Sequence, residues 1–103
     1  KVVLPVVQRN AAGWNAPIYL QSIGAASATL SYYTIGLGTL ATTQTVALVP
    51  GTALKIDPAT VTGLTAGLRY AVVITGNGTL TAIVDEFNSA VGDGDMIYEG
   101  FAQ

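Results

Sequence analysis

The chain has 103 residues, a mass of 10.5 kDa and a formal net charge of −2; half of its residues are hydrophobic, a tenth are charged, and it contains no Cys and no His. This composition excludes a His- or Cys-based nucleophile and a disulfide framework. Its only cations, Lys1, Arg9, Lys55 and Arg69, are too scattered for a nucleic-acid surface, and no apolar run is long enough for a transmembrane helix. One domain over residues 1–103 is expected, able to bury about 60–70% of its unfolded surface without covalent staples. Charged residues usually make up about a quarter of a globular domain, so the surface here must be built largely of Thr, Ser, Gln, Asn and Gly. Such a neutral surface lacks the repulsion that keeps molecules apart.

The first predicted strand is Lys1-Val-Val-Leu-Pro-Val-Val7. Alternation sends Val3, Pro5 and Val7 to one face and Val2, Leu4 and Val6 to the other, so both faces are apolar, as in a strand covered on two sides. Pro5 offers no N–H to a ladder, which predicts an edge position or a crossing between sheets. The chain starts at Lys1 and not at Met, which fits a mature terminus left by leader removal and equally an arbitrary boundary.

Residues 8–17 form a turn-rich segment with the only Trp, Trp14. Ile18–Ile23 and Ser27–Thr34 then alternate around Gly24-Ala-Ala26, and read as a hairpin or a pair joining two sheets. Ile35–Thr42 reads as a loose Gly/Thr connection and Gln44–Val49 as the next strand, stopped by Pro50-Gly51. Thr52–Asp57 follows, with Leu54 and Ile56 toward the core. Asp57 and Pro58 make an N-cap and first-turn pair for one helical turn. Arg69–Thr75 is a central apolar strand. Asn77-Gly78 is the strongest hairpin signal, leading into Leu80–Phe87. Asn88–Asp95 is a Gly- and Asp-rich loop, and Met96–Phe101 closes the chain. About seven or eight short strands, no sustained helical period and no internal repeat predict an all-β antiparallel sandwich, Ig-like or jelly-roll-like.

Candidate chemistry is sparse. Asp85 and Glu86 are adjacent in a strand and point to opposite faces, so they cannot work together on one bond. Asp93 and Asp95 gather carboxylates of the kind Ca²⁺ favours, yet no Glu closes the loop and turn chemistry accounts for the Asp/Gly alternation. Trp14, Tyr19 and Tyr33 are the candidates for a sugar platform, set against the commoner role of aromatics as core and cross-strand partners. Asn77-Gly-Thr79 matches an N-glycosylation acceptor, and a turn there explains itself without a glycan. No catalytic residue, cofactor or metal is assigned, and no enzymatic activity is expected.

Leu4-Pro-Val-Val7, Gly13-Trp14-Asn15, Pro17-Ile-Tyr-Leu-Gln21, Tyr32-Tyr33, Pro50-Gly51, Ala71-Val-Val-Ile74, Ile83-Val84 with Glu86 and Asn88, and Met96-Ile-Tyr98 with Gly100-Phe101 follow one another in one order. Together they resemble an uncharacterised all-β repeat module of secreted and cell-surface proteins from Chloroflexota-type bacteria. The resemblance covers nearly the whole chain. It implies an extracellular or cell-surface location and a tandem-like arrangement, of which this chain holds one copy. It carries no catalytic residues.

The expected function is an extracellular structural subunit that self-assembles head to tail into a filament or sheath with identical subunits. The expected joint is β-strand addition, with Val2, Val3, Leu4, Pro5, Val6 and Val7 seated on a neighbour. Burying these side chains is worth about 8–12 kcal/mol before ordering costs. The alternative is a monomeric cell-surface module that uses the leading strand in its own fold, with adhesion or glycan contacts.

Overall fold

The computed structural model describes residues 1–9, 14–88, 95–99 and 101–102. The side chains of Pro5, Trp14, residues 86–88, 95–99 and 101–102 fall outside the description. The described chain is built of ten strand segments: β1 (Val2–Arg9), β2 (Trp14–Asn15), β3 (Ile18–Ile23), β4 (Ser27–Thr34), β5 (Leu40–Ala47), β6 (Ala53–Ile56), β7 (Leu68–Gly76), β8 (Thr79–Asn88), β9 (Asp95–Glu99) and β10 (Phe101–Ala102). They pair antiparallel into two sheets. The first runs β10-β1-β7-β4-β5; the second runs β2-β8-β3-β6, with β9 also on β8. The predicted all-β antiparallel sandwich is the fold observed.

One apolar core lies between the sheets. The first sheet sends in Val2, Leu4, Val7, Leu30, Tyr32, Tyr70, Val72 and Ile74, and the second sends in Ile18, Leu20, Ile56, Leu80, Ala82 and Val84. Alternation produces this directly: in β4, Ala28, Leu30 and Tyr32 are buried while Ser27 is exposed and Thr29 and Ser31 are half-buried. Three buried hydroxyls are matched. The Tyr32 hydroxyl donates to Gln44 Oε1 at 3.0 Å, the Tyr70 hydroxyl accepts from Thr65 N–H at 2.7 Å, and Ser22 Oγ donates to the Ala25 carbonyl at 2.7 Å.

Residues 57–67 carry the chain from one sheet to the other and plug one end of the core with Pro58, Val61 and Leu64. The predicted helical turn is a 3₁₀ turn at Pro58–Thr60, capped by Asp57, whose carboxylate accepts from Ala59 N–H at 3.0 Å. Gly63 presses on β5 in this segment. With φ at +97°, it leaves no room for a Cβ, which would meet the Thr42 Cβ at 2.8 Å. An arginine holds the segment down: Arg9 donates to the Leu64 carbonyl through its guanidinium and accepts from Gly67 N–H through its own carbonyl.

Two expectations from local sequence are corrected. Asn77-Gly78 does not close a hairpin: β7 lies in the first sheet and β8 in the second, so the turn crosses between layers. Gly78 backs against the chain at Ala25, where a Cβ would sit 2.9 Å from the Ala25 nitrogen. The same crossing joins β3 to β4, so the sheet-to-sheet alternative holds for that pair. Sequential hairpin pairing among the described residues is found at β4–β5 and β8–β9 instead. The second correction concerns β5, which begins at Leu40 and not at Gln44, so the last three residues of the expected loose connection are strand. A register shift between Tyr32 and Tyr33 absorbs an extra residue there, which lets the ladder continue past the irregularity.

Candidate assembly surfaces

The leading strand occupies a slot in its own sheet, between β7 on one side and, at Val2 and Val3, β10 on the other. Val2, Leu4 and Val7 are fully buried, and Val3 and Val6 are half-buried. The parity expected from strict alternation breaks at Pro5. Leu4 is level with Val72 and Val7 with Tyr70, so β1 advances three residues while β7 advances two. That is a β-bulge, and a residue without an N–H fits where the ladder is interrupted. The bulge turns Val7 onto the core face beside Val2 and Leu4, and leaves Val6 off it. Gln8, also buried, accepts from Arg69 Nε at 3.3 Å.

The other candidates do not converge. Tyr19 lies on the outer face of the second sheet, half-buried, with Lys55 Nζ 6.0 Å from its ring centre. Tyr33 lies on the outer face of the first sheet, since its neighbour Tyr32 points into the core. The two rings therefore face away from each other across the sandwich and form no common platform. The Trp14 side chain lies outside the described residues. So does Asp93, and only the backbone of Asp95 is described, at the start of β9. Among the described residues no group of three or more potential metal ligands is found, and no helix is long and apolar enough to cross a membrane. Asn77 is exposed, beside a shallow polar hollow lined by Ser27, Thr29 and Thr75.

Sequence reasoning did not single out the free side of β5. Among the described residues this strand ends the first sheet; it runs eight residues and carries no charge. A signal for it was present: between Arg9 and Lys55 there is no charged residue at all. Sheet edges are usually guarded by charge, proline or shortness. Here β6 has four residues including exposed Lys55 and β10 has two, whereas β5 has none of these guards. Exposed apolar side chains stand at its first residue, Leu40 at 54%, and two residues past its last, Val49 at 67% exposure.

Comparison with known proteins gives no matching family model, no similar curated protein and no similar solved structure.

Proposed function

We propose that the protein is an extracellular structural subunit that joins copies of itself into a filament or sheath by exchanging β1. The observation that carries the reading is the character of the β1 slot. The first strand, apolar on both sides, seats Val2, Leu4 and Val7 against Ile74, Val72 and Tyr70 of β7. A neighbour's β1 would make the same contacts in the same register, so closed and exchanged forms have the same side-chain complement at the joint. What separates them is concentration and whatever further contact the open form adds. An exchange in which each subunit gives one strand and receives another leaves one slot and one strand free at the ends, and it propagates. The bacterial surface-module resemblance and the low charge of the chain agree with this reading, and extracellular placement rests on that resemblance.

The competing reading, a monomeric surface module, draws on the same geometry, because β1 completes its own sheet. One experiment separates them. Val3 and Val73 are level with each other and half-buried on the outer side of the sheet. Cα atoms of directly opposed residues lie about 4.5–5.5 Å apart, within disulfide range. The chain has no Cys, so a Val3→Cys/Val73→Cys pair is free of competing thiols. Oxidised at high protein concentration, exchanged subunits give a ladder of covalent oligomers on a non-reducing gel. A single monomer band at every concentration leaves the monomeric module standing and removes exchange.

A further inference from the structure

We propose that the free side of β5 is a homotypic docking edge, where two copies pair β5 with β5 antiparallel about a twofold axis, Thr45 opposite Thr45. This contact involves no part of β1 and stands whether or not β1 exchanges.

The hydrogen-bond parity of the β4–β5 ladder defines the free side. Leu48 N–H bonds to the Ala26 carbonyl at 2.8 Å, and Ser27 is level with Ala47, Ala28 with Val46 and Leu30 with Gln44. In an antiparallel ladder bonded and non-bonded pairs alternate. Val46 and Gln44 therefore bond inward to β4, as Leu48 does, and Thr43, Thr45 and Ala47 turn their N–H and C=O groups outward. Their side chains are exposed. Among the described residues the outward groups meet no neighbouring strand; the Thr43 carbonyl takes a long contact, 3.5 Å, from the Thr42 hydroxyl.

A second copy is the occupant that matches this edge. An antiparallel twofold pairs each outward residue with another outward residue only in certain registers. The one centred on Thr45 uses all three: Thr43 meets Ala47, Thr45 meets Thr45, and Ala47 meets Thr43. Centring on Gln44 or Thr43 runs one end into the irregular stretch near Leu40. The Thr45 register also brings Val49 of each copy level with Ala41 of the other, beside Leu40. The exposed Leu40 at the start of β5 and Val49 two residues past its end then lie near one another at both ends of the joint. Charge permits the pairing as well, since β4 and β5 hold no ionisable group except the tyrosines and the two edges set no like charges against each other. The result is a continuous sheet through two subunits. Combined with β1 exchange it would tie chains side by side, as a sheath requires.

The test uses single cysteines in the 103-residue chain, with β1 intact. Bonded antiparallel pairs place Cα atoms about 5.5 Å apart, so Thr45→Cys oxidises to a covalent dimer. Thr43→Cys places its two thiols four residues apart along the joint, about 13 Å, too far to bridge. The expected result is rapid dimer formation by Thr45→Cys and none by Thr43→Cys under the same oxidant. Equal crosslinking by both, or by neither, overturns the proposal. In parallel, sedimentation of Thr45→Lys, which sets two ammonium groups face to face, should show a dimer dissociation constant about tenfold higher or more. An unchanged constant also overturns it. Failure here leaves the Val3→Cys/Val73→Cys ladder unaffected, so the two contacts are judged separately.

Discussion

The bulge at Pro5 makes a prediction that strict alternation would make backwards. Counting from Val2 in steps of two puts Val6 in the core and Val7 on the outer face; the structure buries Val7 completely and leaves Val6 half-exposed. Val7→Ala removes two buried methyl-sized groups, about 1.6 kcal/mol at about 0.8 kcal/mol each. The space left beside Tyr70, which is level with Val7 and itself buried, adds about 1 kcal/mol because a packed core closes over a void only in part. The expected cost is about 2.5 kcal/mol for Val7→Ala and about 0.5–1 kcal/mol for Val6→Ala, whose methyls are partly solvated already. With a urea slope of about 1–1.5 kcal/mol per molar, Val7→Ala should lower the unfolding midpoint by about 2 M and Val6→Ala by under about 1 M. The assay is urea unfolding followed by circular dichroism at two protein concentrations tenfold apart. Equal shifts, or a larger shift for Val6→Ala, would refute the bulge and with it the register assigned to β1.

Three further outcomes are expected. Tyr32 is fully buried, and burial pushes its hydroxyl above the ordinary phenol range. Above about pH 10 the unfolded chain loses this proton while the folded chain keeps it, so stability is intact below that pH and falls as pH rises, by up to about 1.4 kcal/mol per unit. Urea midpoints measured across that range should fall more steeply for the wild type than for Tyr32→Phe, which loses about 1 kcal/mol at neutral pH with its bond to Gln44. Gly63→Ala adds a Cβ at positive φ against Thr42 and should cost about 1–3 kcal/mol by thermal melting, whereas Gly51→Ala, with positive φ but open space around it, should cost less. Asp57→Ala removes the cap on the 3₁₀ turn and should cost about 0.5–1 kcal/mol, with Asp57→Asn retaining most of it, in the same melts.

What the sequence made legible was local. The limits of β3 and β4 follow from alternation bounded by Pro17 and Gly24-Ala-Ala26, and Asp57-Pro58 announced its turn. Strand pairing was not local. Asn77-Gly78 has the chemistry of a tight hairpin, but the inward residues on either side, Ile74 and Leu80, belong to facing layers, and burying both requires the chain to cross. The apolar character of β1 was plain, whereas its slot depends on β7 and β10, far along the chain. The Pro5 bulge was half visible: proline signalled an interrupted ladder, but nothing local decides whether the interruption is an edge or an inserted residue.

The free edge of β5 was hidden for a related reason, and it bears on both contacts. Whether a strand is central or terminal in a sheet is settled by strand order, so Leu40–Ala47 carries no mark of it beyond the missing charge. In a closed monomer β1 satisfies one side of β7 and β4 the other, and β5 is left as the long unguarded boundary of the first sheet. A monomeric module would be expected to blunt such a boundary with a lysine or proline, as β6 has Lys55 and is followed by Pro58. A subunit made to associate has no reason to. An uncharged edge, exposed apolar residues at Leu40 and Val49 and a first strand whose slot a copy can fill each have an ordinary explanation singly. Together on one sheet they are what the proposed association predicts, and the two cysteine experiments test its two routes independently.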